Sequence, residues 1–130
     1  MNCLRNLVGL SGALQMYMTD YDGELPGPEG AWNDAIREYR VGLLLRCPDV
    51  QDPGHSYALN LAVVKSDTRR IPKPEEVPMI FESDKGPNAV GGREALVTPA
   101  RHLGWHNFGF VDGHAQAIRE SEVSRLRWAP

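Results

Sequence analysis

The residues best equipped for chemistry lie in one C-terminal run, from His102 through His106 and Asp112 to His114. Imidazole and carboxylate together suit zinc or a similar divalent ion, so His102, Asp112 and His114 form a candidate metal set. The same groups could act as acid and base, with His102 as the base and Asp112 or Glu82 orienting its ring. A third reading is architectural: Asp112 hydrogen-bonds its own turn, and a histidine fastens the preceding loop by bonding to it or to backbone carbonyls. The surroundings favour architecture. No H-E-x-x-H or cysteine-bearing pattern accompanies these histidines. Ser56, Ser66 and Ser83 lie outside any G-x-S-x-G context, so a convincing nucleophile is lacking. Gly91-Gly92 is followed by Arg-Glu rather than Lys-Ser/Thr, which argues against a phosphate-cradling loop.

Two smaller groups also carry chemistry. Asp20, Asp22 and Glu24 imitate the start of a calcium loop, but the bidentate glutamate that should close it is missing, and solvated carboxylates are the simpler reading. Cys3 and Cys47 have no metal-ligand spacing. Either they are small apolar residues, or they form a disulfide tying the first helix to segment 43–48. That bond would stabilise by about 4 kcal/mol in the chain-entropy model and would need an oxidising compartment.

At 130 residues the chain has room for one domain with a modest core. A net charge of −3 with scattered Lys and Arg argues against a nucleic-acid surface. No apolar run is long enough to span a bilayer, and the first residues lack the apolar core of a signal peptide. The 13 glycines and 10 prolines foretell long connections.

The elements that must position these residues follow from periodicity. Residues 2–21 repeat apolar side chains at helical spacing, with Leu4, Leu7, Val8, Leu14 and Met18 forming one stripe. Ser11, Gly12 and Ala13 make its middle small enough for a sheet to approach. Pro26 and Pro28 forbid its continuation. Residues 31–39 read as a short helix, 55–64 and 77–81 as strands, 83–99 as a long loop, and 121–128 as a short terminal helix docked by Val123, Leu126 and Trp128. Asp112-Gly113 lies between two short alternating runs, 105–111 and 114–118. A type I′ turn there would pair Val111 with His114 and Phe110 with Ala115. Phe108, Phe110, Ala115 and Ala117 would then share a face able to receive the helix. The expected class is α+β, a long N-terminal helix packed on a small antiparallel sheet.

The motifs and their order carry a resemblance. Cys3-Leu4-Arg5-Asn6-Leu7 and Met16-Tyr17 precede Asp20-Tyr21-Asp22-Gly23 and Leu25-Pro26, followed by Cys47-Pro48-Asp49 and Ser56-Tyr57-Ala58-Leu59-Asn60. His102, nine residues and Asp112-Gly113-His114 close the series. This order resembles the prepilin-type proteins named for an H-x9-DG motif, relatives of the type II secretion pseudopilins and type IV pilins. The resemblance covers nearly the whole chain. It implies a structural subunit of a secretion or pilus-like filament, not an enzyme, with other pilin-like subunits and the secretion machinery as partners. His102, Asp112, Gly113, His114, Cys47, Pro48, Tyr57 and Asn60 would be its architectural residues. It also raises a calcium site in a loop near the sheet, for which Glu82 and Asp84 are the better-placed oxygen ligands. Family members begin with a basic leader and an apolar helix that anchors them in the bacterial inner membrane. Neither is present here, so the expectation is a soluble head of a longer protein, at the membrane, periplasm or cell-surface filament when full length. Two other classes remain open. One is a carbohydrate- or peptide-binding module using exposed Trp32, Trp105 or Trp128; the other is a metal-binding or hydrolytic protein using His102, Asp112 and His114.

Overall fold

The computed structural model describes residues 2–27, 31–39, 57–86, 88–100 and 102–129, with side chains described from residue 4 onward. Its first element is the helix α1 (Asn2–Asp20). Leu7, Leu10, Leu14 and Met18 are buried along one side, each step three or four residues from the last. Burying a leucine of this kind stabilises by roughly 1.5–3 kcal/mol, so this stripe fixes the helix to the rest of the chain. Val8 does not belong to it. Val8 and Met16, 53% and 54% exposed, lie outside the leucine stripe. The helix stops where Asp22 and Gly23 turn to positive φ, with the Gly23 amide donating to the Met18 carbonyl at 2.8 Å.

Five strands form one sheet: β1 (Tyr57–Asn60), β2 (Pro78–Glu82), β3 (Ala89–Gly91), β4 (Trp105–Phe110) and β5 (Ala115–Arg119). Their order is β3-β1-β2-β4-β5. All neighbours are antiparallel except β1 and β3, which run parallel, so the sheet is mixed rather than antiparallel throughout. The parallel strand lies inside the segment expected to be a bare loop. After β2 the chain returns across the sheet, adds β3 at the far edge, and turns at Arg93–Ala95 before Leu96 bridges back to Ser83. The β3 edge is covered: the Trp32 indole donates to the Ala89 carbonyl at 3.0 Å, and the Asn33 amide donates to Asn88 Oδ1 at 2.9 Å. Trp32 belongs to the short helix α2 (Trp32–Ala35), so the expected helix at 31–39 is one turn followed by turns to residue 39.

The strand expected over 55–64 is shorter on its described side. It ends at Asn60, and Leu61–Val64 form the helical turn α3. Asn60 causes the change, because its side-chain oxygen accepts the Ala62 amide at 3.1 Å and caps the turn.

The two sheet faces hold different cores. Residues opposite in register share a face, which places Leu59 with Ile80 and Gly109 with Ala115 on the helix side. A Cβ on Gly109 would come within 2.0 Å of Ser11 Oγ, so glycine lets the helix lie directly on β4. Phe81, Phe108 and Phe110 point to the opposite face, away from α1. There the terminal 3-10 segment Glu120–Arg125 covers them with Val123, followed by Leu126 and Trp128. Trp128 meets Phe81 and Phe108 edge-on, with ring centroids 5.1 and 5.7 Å apart. The expectation that Phe108 and Phe110 receive the helix together with Ala115 and Ala117 is therefore corrected. The register is one residue off from the expected pairing, and that single step moves every side chain to the other face.

Candidate functional site: a buried acid–imidazole pair and a hairpin clasp

The register difference originates in the turn. The Gly113 amide donates to the Phe110 carbonyl at 2.9 Å, and the Phe110 amide donates to the His114 carbonyl at 2.8 Å. Phe110 therefore faces His114 across a three-residue loop, Val111-Asp112-Gly113. Gly113 has φ +97 while Asp112 is not in the left-handed region, which excludes the expected type I′ turn. At the other end of β4, Leu103 (55°) and Gly104 (93°) do both have positive φ, as Asp22 and Gly23 do at the end of α1. Leu103 and Gly104 lie between His102 and Trp105, where the Trp105 amide donates to the His102 carbonyl at 3.2 Å. Both turns flank β4, so His102 and Asp112 sit at opposite ends of a six-residue strand. At about 3.4 Å per residue that strand separates them by on the order of 17 Å.

The motif residues thus form two pairs rather than one cluster. His102 Nε2 lies 2.6 Å from Glu82 Oε2, with the two side chains 4% and 0% exposed. Glu82 Oε1 also accepts the Asn107 amide of β4 at 2.8 Å. The glutamate at the end of β2 thereby holds both the start of β4 and the turn before it. A buried carboxylate is tolerable because it accepts two hydrogen bonds there; losing either donor would leave part of it unsatisfied. At the other end, Asp112 Oδ1 accepts the His114 amide at 3.1 Å and lies 2.5 Å from His114 Nδ1. The His114 ring stacks on Phe110, with centroids 4.4 Å apart and ring planes nearly parallel. Gln15 of α1 donates to the Val111 carbonyl and so fastens this turn to the helix.

Tyr57 and Asn60 are equally committed. The Tyr57 hydroxyl accepts from Asn6 Nδ2 at 3.0 Å, a buried bond joining helix and sheet. Besides capping α3, Asn60 uses its amide nitrogen to donate to the Pro78 carbonyl at 2.9 Å and the Trp128 carbonyl at 3.0 Å. One side chain thus ties together β1, β2 and the chain's end. In the sequence only the resemblance singled it out, because Asn60 lies inside the apolar run 57–64 that read as a strand. The Gln15 and Asn6 contacts had no signal, because an amide on a helix commits to no partner until the fold is known.

The remaining candidates scatter. Asp84 is exposed, with Lys85 Nζ 3.9 Å from its Oδ1. Asp20 accepts the Tyr39 hydroxyl at 2.5 Å, which pushes the tyrosine pKa up to about 12. Asp22 and Glu24 are exposed. Among the described residues no three His, Cys, Asp or Glu side chains group closely enough to hold a metal ion. Cys47 and Pro48, the Cys3 side chain and hence the possible Cys3–Cys47 bond lie outside the described residues. Of the tryptophans, Trp32 is buried and Trp128 is packed on Phe81, while Trp105 alone is exposed, at 37%, with the Arg119 guanidinium 5.0 Å from its ring centre. No helix among the described residues is long and apolar enough to cross a membrane.

A cleft of about 500 Å³ opens beside the hairpin turn, between the end of α1 and the Thr68–Ile71 turn. Asp112 and Asp22 line it along with apolar Met18, Ile71, Pro74 and Val111. Arg69 also lines it but is occupied, donating from Nε and Nη2 to the two Asp67 oxygens at 3.0 Å each, which holds the Asp67 carboxyl below its ordinary value.

Comparisons of the chain with protein family models, with curated proteins and with solved structures found no match.

Proposed function

We propose that this chain is the head domain of a pilin-like filament subunit, in a type II secretion or type IV pilus-like assembly. The observation that carries the reading is the buried Glu82–His102 pair, 2.6 Å apart. A histidine enclosed this way and spent on its own fold suits a structural motif better than a reactive site. Tyr57, Asn60, Asp112 and Gly113 support the same view, since each closes a junction between elements. A helix laid along one sheet face agrees with the architecture that the H-x9-DG resemblance implies. The outer side of α1, with Val8 and Met16 more than half exposed, leaves apolar surface for neighbouring subunits. In this reading the full-length protein is held in the bacterial inner membrane before assembly, and the secretion or pilus machinery and other pilin-like subunits are its partners. No catalytic step and no resident cofactor is required. A calcium or zinc ion, if one binds, would serve structure.

The test uses the full gene product in its own cells, with and without prepilin peptidase activity. The proposal expects a shorter mature form only when the peptidase is active, and recovery of that form in crosslinked ladders from the sheared surface or periplasmic fraction. A mass independent of the peptidase, with the protein monomeric in every fraction, would contradict it.

A further inference from the structure

The two ends of β4 differ in a way that a single copy leaves unused. At the start, the His102–Trp105 turn projects Leu103, which is 98% exposed although its backbone sits at φ 55, a region costly for a bulky side chain. Beside it Trp105 is 37% exposed and carries the Arg119 guanidinium over its ring at 5.0 Å. The Glu120 amide donates to the Gly104 carbonyl at 2.9 Å and makes this a fixed protrusion. The Glu120 carboxylate turns back toward the Ala100 amide, 3.5 Å away. At the far end of the strand lies the 500 Å³ cleft, with Met18, Ile71 and Val111 buried as its floor, and at its rim the exposed Asp22 carboxylate and that of Asp112, whose Oδ1 His114 already engages. Among the described residues that line it, the one cation, Arg69, is already held by Asp67. The cleft is therefore apolar within and anionic at the mouth, whereas the protrusion is apolar at the tip and cationic at its side.

We infer that the Leu103–Trp105 turn of one copy docks into the Asp22–Asp112 cleft of a second copy, with Leu103 on the apolar floor and Arg119 facing the carboxylates. Because protrusion and cleft lie at opposite ends of β4, the contact is heterologous. Each copy keeps one free end, and the association continues head to tail rather than closing as a symmetric dimer. The inference deepens the filament reading by naming a subunit contact, and it rests on that reading only for its biological setting.

Purified chain examined by sedimentation velocity over a range of concentrations tests it. Wild type is expected to give a concentration-dependent series of species. Leu103→Asn with Arg119→Glu removes the protrusion, and asparagine tolerates the positive φ. Asp22→Asn with Asp112→Asn removes the anionic rim while keeping the turn geometry. Each double variant, with wild-type circular dichroism, should associate at least about tenfold more weakly, a loss of about 1.4 kcal/mol. An equimolar mixture of the two should form dimers and nothing larger, since only one intact protrusion–cleft pair can form between them. Wild type that stays monomeric at every concentration, stops at a dimer, or associates unchanged in both variants would overturn the contact. This result does not depend on peptidase processing. Loss of the contact with processing intact rejects the contact alone, and loss of processing with the contact intact rejects the filament reading.

Discussion

At the scale of single residues, the chemistry-bearing side chains are mostly spent on holding the backbone. Asn60 shows how much one group can do, with its oxygen capping α3 and its nitrogen donating to two carbonyls from distant parts of the chain. Asn60→Ala removes the cap and leaves the Pro78 and Trp128 carbonyls without that donor. A loss of about 2–3 kcal/mol in urea unfolding is expected. The Tyr39–Asp20 bond gives a pH signature. The Asp20 carboxylate raises the tyrosine pKa from 10.0 to about 12 by accepting a hydrogen bond from its hydroxyl. A raised pKa means that the folded state holds the proton more tightly. The tether therefore contributes stability below pH 10 and loses it as pH rises through about 12. In an absorbance titration Tyr39 should ionise late, and Asp20→Asn should return it toward the ordinary tyrosine value.

At the scale of elements, the helix and sheet meet through the absence of a side chain. Gly109→Ala would press a methyl against Ser11 Oγ and Ile80 Cγ2, at 2.0 and 2.7 Å. The expected cost is about 1–3 kcal/mol, and Ser11→Gly in the same chain should recover part of it. Thermal unfolding of the single and double variants measures both. The sequence made the long helix, β2, the hairpin and the docked C-terminus legible, because period 3.6 and period 2 are local signals. What it hid was set by tertiary contacts. Asp-Gly is compatible with more than one hairpin loop, and the choice of three residues over two moved Phe108 and Phe110 to the face away from α1. The strand β3 has three residues, too few for a periodic signal, and its parallel pairing depends on where β1 already lies. Val8 fits the helical apolar spacing, yet only the position of the sheet shows that it faces outward. Glu82 could be named as a partner for His102, but its burial could not, since a carboxylate at a strand end is usually solvated.

At the scale of the whole molecule, two half-cores share one sheet, and the Glu82–His102 pair joins β2, β4 and the turn that precedes β4. The central claim is that this pair builds the domain, so that the motif histidine is structural. The most direct measurement is a double-mutant cycle by urea unfolding, using Glu82→Gln, His102→Ala and the two combined. The account predicts a loss of about 2–4 kcal/mol for the break at either partner, because the other loses a buried hydrogen bond. It also predicts that the double variant loses clearly less than the sum, with a coupling of about 1–3 kcal/mol. Single variants within about 0.5 kcal/mol of wild type, with effects that simply add, would contradict it.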